Sequence, residues 1–526
     1  MSLNISMIVL FCLHTMVMAQ TPDWVKKQGK SFRHPDHAYL TGFGMATLTR
    51  RENQVECQEM AANHARSNLI QKIRVTIRSA VASRVEERDT KLSEYFSTTT
   101  QTTASLEIEG LELETFYDKK KKLCYAFAYV GRERLARFYG DKADGFRKEI
   151  RAHLAAGKWY EEGGQRTKAL DEYLACYPLF RQLEEAQAVL SSSQSDLTAT
   201  IAELDAQVST DEVSRNQVRE AVERLVEKPL ASPDDVAWYL AYCLSGQLET
   251  PDQGVLVTPF TYQDTRMGSP FSRFFMQVME NKIVEVARWQ AVQQATTFEP
   301  KTRNMTREFA QASGATHVLT GTYWEQPKKV RFLATLRRVA DSKVMASAVA
   351  VVDSTILRQP NLTIRPRNFS QAFSDRKAFN TDEVIGGGLH LEVWTNKGVE
   401  NLLYTEGERM QVYVRVNMPC YIRFIYHLAD GYRTLLLDNY YIDGSKVNKV
   451  YLIPEEFECS APFGAEVLQV FARSEKFDSI ETRNVDGHDI LAQDLQRFLT
   501  KTRGFKKAKR DGLQAESRLV ITTMRE

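Results

Sequence analysis

Between Gly254 and Leu357 the residue pattern leaves few architectures open. GVLVTPF (Gly254–Phe260) is an apolar run ending near Pro259, which predicts a buried strand. SPFSRFFMQVMENKIVEVARWQAV (Ser269–Val292) follows, with Phe271, Phe275, Val278 and Met279 at helical spacing. Ser269 and Pro270 supply an N-cap and a first-turn proline for that helix. MTREFAQASG predicts a shorter helix closed by Gly314. THVLTGTYWE, KVRFLATLRRV and VMASAVAVVD then read as three strands, with turns at Lys328-Lys329 and Asp341-Ser342-Lys343. Helices interleaved with strands and followed by a meander bury their apolar faces as helices laid on one mixed sheet, so 250–357 is expected to be an α/β sandwich.

At 526 residues the chain is too long for one core, and three or four domains are expected. With 43% hydrophobic and 26% charged residues the composition is that of a globular protein, and a formal charge of +2 excludes a dedicated nucleic-acid binder. Lys119–Lys122 and Lys506–Arg510 are the dense basic runs, read as a solvated turn and a solvated tail. ISMIVLFCLHTMVMA (Ile5–Ala19) has the length of a signal-peptide core, and Val17 and Ala19 suit a cleavage site before Gln20. Cys12 follows Phe11 inside the run, which excludes a lipidation site. No later stretch is long and apolar enough for a transmembrane span, so residues 1–19 are expected to be removed and the rest exported.

Residues 22–137 read as strand, long helix and hairpin. AYLTGFGMA is the strand, and Ala61, Ala65, Leu69, Ile73 and Ile77 form one helical stripe. SLEIEGLELETFY and LCYAFAYV make the hairpin around the tetra-lysine turn. The Gly42-Phe43-Gly44 sequence lacks the third glycine of a dinucleotide fingerprint and is not read as a phosphate loop. In 138–249, Gly157, Tyr160, Ala169 and Tyr173 fall at the small and aromatic positions of a tetratricopeptide-like hairpin. One repeat cannot cover its own apolar faces, so neighbouring domains or a partner must cover them. A second long helix ends before Pro229, and Ser232–Gly246 is a short capped helix.

Arg358–Gly388 reads as a linker, and 389–526 as β-structure: LHLEVWT, RMQVYVRV, CYIRFIYHL, YRTLLLD, VYLIP and EVLQVFA, with a turn at Asp430-Gly431. Short strands at this spacing suggest an immunoglobulin-like sandwich. The expected fold class is therefore α+β multidomain: a β-α-β-β domain, a helical middle, an α/β sandwich with a mixed sheet, and a C-terminal β-sandwich.

Three stretches carry family resemblances. PFSRFF, ASGATHVLTGTYWE and the meander resemble the periplasmic domain of FlgO-type flagellar accessory proteins, a domain type similar to those of CsgG and the amino-terminal part of TolB. YLTGFGMA with its Ala-rich helix and hairpin resembles the LPP-type surface lipoproteins, without their lipidated cysteine. YIRFIYHLADGYRTLLL, PFGAE (Pro462–Glu466) and a terminal helix plus strand (Ile490–Thr523) resemble a C-terminal domain of unknown function often found with the FlgO-type unit. Together these resemblances imply a non-enzymatic periplasmic protein, in accessory or scaffold work on a cell-envelope or outer-membrane machine, with envelope proteins as partners. They carry no catalytic, cofactor-binding or metal-binding residue over to this chain, and no cofactor.

The residues agree with that implication. HExxH, CxxC, GxSxG and Walker A motifs are all missing from the sequence. His427 and His488 read as core or surface histidines rather than catalysts, and Trp324 and Trp394 as core aromatics rather than sugar platforms. The alternatives are a glycan- or peptidoglycan-binding module, a pore-forming exporter and a hydrolase assembled across domains. Six cysteines remain after cleavage. They either stay as buried thiols or pair within domains, as Cys57–Cys124 and Cys420–Cys459.

Overall fold

The computed structural model describes residues 21–49, 53–85, 108, 110–193, 197–248, 253–263, 265–293, 310, 313–358, 362–372, 388–485, 488–491 and 513–525. The signal-peptide run, most of the short helix before Gly314, the end of the linker, the Lys506–Arg510 run and the expected terminal helix lie outside these residues. The protein is a multidomain α+β chain built on four sheets.

The first sheet has the order β1-β3-β2, from β1 (Tyr39–Thr47), β2 (Glu112–Asp118) and β3 (Leu123–Gly131). α1 (Asp23–Lys26) covers one face, where Trp24 stacks on Phe127 with ring centroids 5.6 Å apart. α2 (Gln54–Val85) covers the other. Its expected stripe is buried at Ala61, Ala65, Leu69 and Ile73, while the Ile77 side chain lies outside the described residues. The Gly-Phe-Gly sequence is explained by this packing. A Cβ at Gly42 would sit 2.1 Å from the Ala65 carbonyl oxygen, and one at Gly44 would sit 2.2 Å from that of Ala61. Strand and helix touch backbone to backbone, which only glycine allows. Cys57 on α2 and Cys124 on β3 form a disulfide in the same layer. The other described cysteines, Cys176, Cys243, Cys420 and Cys459, are free and buried, so of the two alternatives Cys420 and Cys459 take the buried-thiol one.

α3 (Arg132–Glu162) grows directly out of β3 and runs across the expected boundary at 137/138. With α4 (Arg166–Ser193) it makes the hairpin, and a Cβ at Gly157 would lie 2.6 Å from the Tyr173 ring. The tetratricopeptide-like spacing thus reports a real close approach of two helices. The hairpin's apolar faces are covered within the chain, by α5 (Leu197–Val226) and by strand β9 (Val344–Asp353). A buried ion pair stitches α4 to α5: Glu184 takes Arg215 at 2.6 Å, and also Arg181 of its own helix at 2.6 Å. α6 (Pro233–Ser245), capped by Ser232 as expected, packs on the same sheet.

That sheet has the order β6-β4-β7-β8-β9, with β5 paired to β7. Its strands are β4 (Gly254–Val257), β5 (Thr261–Tyr262), β6 (Gln290–Val292), β7 (His317–Gln326), β8 (Lys329–Arg338) and β9. Two expectations need correction. The run Gly254–Phe260 is not one strand: it breaks after Val257 around Pro259, which has no N–H for a ladder. Phe260 then fills the space over Gly321, where a Cβ would meet its ring at 2.1 Å. The helix α7 (Pro270–Glu285) does not continue to Val292. The chain turns at Arg288, with φ of 60°, and Gln290–Val292 becomes an edge strand parallel to β4. At the opposite edge Gln247 pairs with the Ser347 backbone through both amide atoms, at 2.8 and 3.0 Å, which blocks further strand addition there.

The C-terminal sandwich has two sheets. The smaller has the order β10-β12-β15, from Leu391–Thr395, Arg409–Val416 and Tyr451–Glu458. The larger has the order β11-β19-β16-β13-β14-β18-β17. Its strands are β11 (Leu402–Thr405), β13 (Cys420–His427), β14 (Arg433–Ile442), β16 (Ala465–Arg473), β17 (Thr482–Val485), β18 (His488–Leu491) and β19 (Gln514–Met524). Among the described residues, no helix is long and apolar enough to cross a membrane.

Candidate binding groove

Three places bring polar side chains together, and they differ in how completely those groups are used. The first is the seam between the first sheet and the sandwich. Buried Asn417 donates to the carbonyls of Met45 and Gly388 and accepts from the His390 N–H at 2.8 Å. His64 and His390 lie with ring centroids 4.3 Å apart. His390 Nε2 donates to Glu392 at 3.1 Å, and Arg415 Nε donates to the same carboxylate at 2.6 Å. Burial opposes charge on Glu392. The His390 hydrogen bond and the nearby charges of His390, Arg415 and His64 outweigh it and hold this carboxyl well below its ordinary range.

The second place is a cleft of about 550 Å³ at one end of the sandwich, with Tyr404, Tyr426, Phe457 and Glu466 in its wall. Burial pushes the Glu466 carboxyl up to about 7, against the hydrogen bonds from Tyr426 and the Ala429 N–H. Both carboxyl oxygens are therefore occupied, one by Tyr426 OH at 2.8 Å and the other by Ala429 N at 3.1 Å. Glu466 ties β16 to the turn at Asp430-Gly431, which gives the PFGAE sequence a structural purpose.

The third place lies where α7 meets the sandwich. Ser269 and Ser272 form a capping box, and both hydroxyls meet Tyr323 OH, at 2.7 and 3.2 Å. Tyr323 OH donates to Ile364 O at 2.8 Å, and the Gly268 N–H donates to Thr522 on β19 at 2.8 Å. These bonds fix the start of α7 against both the linker and β19. One turn further on, half-buried Arg273 reaches a groove enclosing about 1080 Å³, with Arg367, Arg525, Phe274 and Phe463 also in its wall. Arg525 pairs with Glu406 at 3.4 Å. The side chains of Arg273 and Arg367 make no hydrogen bond or ion pair among the described residues. Arg273 also borders a second cleft of about 1030 Å³, where Lys397 pairs with Glu408 at 2.7 Å and the wall residue Glu400 takes Arg266 at 3.3 Å.

The residues weighed from sequence fall elsewhere. His427 is buried and bonded to Gln469 at 2.9 Å, and burial drives its imidazole down to about 3 despite that bond. Trp324 and Trp394 are buried in the core, as expected. The His488 side chain lies outside the described residues. Arg273 sits inside PFSRFF, where a charge among aromatics was the one available signal. Arg367 sits in the linker, and only its position beside α7 gives it a role.

The family described as "Domain of unknown function (DUF4384)" matches residues 403–476. The matched stretch includes β12 to β16, and with them Glu466 and its two donors Tyr426 and Ala429. No curated protein matches the chain. Among solved structures, the chain is similar to the LpoB C-terminal domain from Salmonella enterica, with 15% identity over 22% of this chain and 98% of that one and a TM-score of 0.18. For the LpoB C-terminal domain from Escherichia coli the identity is 14%, over 23% of this chain and 96% of that one, with a TM-score of 0.19. For the secreted protein HP1454 from Helicobacter pylori the identity is 10%, over 65% of this chain and 96% of that one, with a TM-score of 0.16.

Proposed function

We propose that this protein acts by contact rather than catalysis, as a periplasmic accessory or scaffold protein of a cell-envelope or outer-membrane machine. The observation that carries this reading is the division of labour among its polar groups. The titratable clusters at the seam and in the sandwich are consumed in holding the molecule together, while the groove beside α7 keeps two guanidinium groups without a bonded partner among the described residues. Such a surface is built to bind. The Cys57–Cys124 disulfide supports an oxidising compartment, in agreement with the leader-like start of the sequence. The resemblances to FlgO-type and LPP-type domains support an envelope setting.

Affinity capture from cross-linked envelopes tests the reading. The expected result is a small, reproducible set of envelope proteins. Recovery of the protein alone, from cells in which it is folded and exported, would overturn it. A second reading, glycan binding, draws on Tyr421 and Tyr441, whose rings lie 4.8 Å apart on the outside of the sandwich, with Tyr441 49% exposed. Co-sedimentation with purified peptidoglycan, lost in Tyr441→Ala, is the outcome that would favour it.

A further inference from the structure

We propose that the groove between α7 and the end of β19 receives an acidic peptide segment of a protein partner, whose carboxylates pair with Arg273 and Arg367. This names the partner class at the site on which the contact reading rests, and it depends on that reading.

The argument starts from what a guanidinium needs. It carries five donors in a planar fork and cannot shed its charge, so half-buried Arg273 without a partner is poorly served, while Arg367, exposed beside it, keeps its fork open to a ligand. Elsewhere along the same junction the chain supplies an acid to each cation: Glu400 to Arg266, Glu408 to Lys397, Glu325 to Arg365 and Glu406 to Arg525. Arg273 and Arg367 are the exceptions at this junction among the described residues, and both face the same groove. Carboxylates fit such forks in a bidentate manner.

The rest of the wall selects the kind of anion. Phe274, Leu362, Pro366 and Phe463 make it largely apolar, and Gln277 adds an amide that can both donate and accept. Alternating acidic and apolar side chains on an extended backbone satisfy all three features. A polyphosphate or nucleic-acid backbone would leave the aromatic wall uncovered unless bases stacked on it, and two free arginines are too few to track a phosphate chain. The groove is also held open by rigid parts. The capped start of α7 is bonded to Tyr323 and to β19, so a ligand meets a surface that is already ordered.

The test uses the full mature chain and a fluorescein-labelled octapeptide of alternating Leu and Glu, read by fluorescence anisotropy. A Leu/Gln octapeptide is the neutral comparison. The Glu peptide is expected to bind about tenfold or more tightly than the Gln peptide, with affinity falling as salt rises. Arg273→Glu and Arg367→Glu are each expected to weaken it about tenfold or more, and Arg273→Gln to weaken it less. Arg409→Glu, at an exposed position paired with Glu456 elsewhere on the sandwich, is expected to leave binding unchanged. Thermal melts confirm that the variants fold. Equal binding of the two peptides, or binding indifferent to both arginine reversals, would overturn the proposal. So would complete displacement of the Glu peptide by millimolar inorganic phosphate, which would mark a simple anion site. Envelope capture with the double variant Arg273→Glu/Arg367→Glu separates this inference from the broader reading. If wild-type partners persist unchanged in the variant, the groove proposal fails and the contact reading stands. If the wild type itself captures nothing, the contact reading fails.

Discussion

The helical layer meets its sheet through side chains that exclude water, while the first sheet meets the sandwich through amides, imidazoles and a carboxylate as well as the apolar Met418 and Leu513. At the first joint, one apolar core runs without interruption from Leu40 through Tyr173 and Leu244 to Leu357. At the second, Asn417 bridges Met45, Gly388 and His390, and Asn448 donates to the Thr47 carbonyl at 3.1 Å. The difference follows from what each edge offers. A helix hairpin presents a broad apolar face and must bury it. The end of β1 presents backbone carbonyls, which must find donors when water is removed. An apolar joint gains free energy in proportion to buried area. A polar joint gains little net free energy but fixes orientation, because a mismatch leaves buried groups unpaired.

Breaking the apolar joint should have the largest effect. Leu244 on α6 is fully buried where that helix packs on β9 and α7. Leu244→Ala is expected to cost about 3–4 kcal/mol, from lost burial and the cavity left behind. Urea unfolding followed by circular dichroism measures it. A loss below about 1 kcal/mol would mean that the helical layer is loosely laid on the sheet rather than part of its core.

The polar joint should yield a smaller loss. Asn417→Ala removes two donated bonds and one accepted bond, and leaves the Met45 and Gly388 carbonyls without this donor. The expected cost is about 2 kcal/mol. Limited proteolysis sharpens the comparison: cleavage near 388 should accelerate in Asn417→Ala and not in Leu244→Ala at matched stability. Equal acceleration in both variants would show that the seam has no independent opening.

The two joints also differed in how far the sequence revealed them. The apolar stripe Ala61, Ala65, Leu69 and Ile73, the Gly157 and Tyr173 spacing and the Ser269 cap were readable, because each expresses a local period or a local bond. Six strands of the sandwich were readable for the same reason, while the four-residue strands β11, β17 and β18 are too short to show a period. The break at Pro259 and the conversion of Gln290–Val292 from helix to edge strand were not. They depend on which strand lies beside the segment, a long-range fact. The seam was invisible because Asn417 and Met45 are distant in sequence and neither residue type signals the other. The groove was not read from the sequence: Arg273 lies among phenylalanines in PFSRFF, but its lack of an acid partner among the described residues is a property of the surroundings and not of the motif. Glu466 is the reverse case, a recognisable PFGAE residue whose task, holding a turn, only the geometry reveals.

The smallest predicted effect is a dependence on pH that should belong to the polar joint alone. The groups facing the Glu392 carboxylate are His390, Arg415 and His64, and together they hold it below its ordinary pKa. A carboxyl whose folded pKa is depressed adds stability that is present above the unfolded value and lost as pH falls through the folded one. Wild type should therefore exceed Glu392→Gln by about 1 kcal/mol at pH 7, a modest figure because the carboxylate is partly exposed. That margin should shrink steadily as pH drops below about 4.5. The Leu244→Ala loss carries no titrating group and should stay flat over the same range. His427 also weakens the fold in acid, since its buried neutral ring must take up a proton, but it does so equally in wild type and both variants. Unfolding curves of wild type, Glu392→Gln and Leu244→Ala at pH 7, 5, 4 and 3 decide the matter. A constant margin for Glu392→Gln would mean that its carboxylate gains nothing from the imidazoles and guanidinium around it, and that the seam is held by its amides alone.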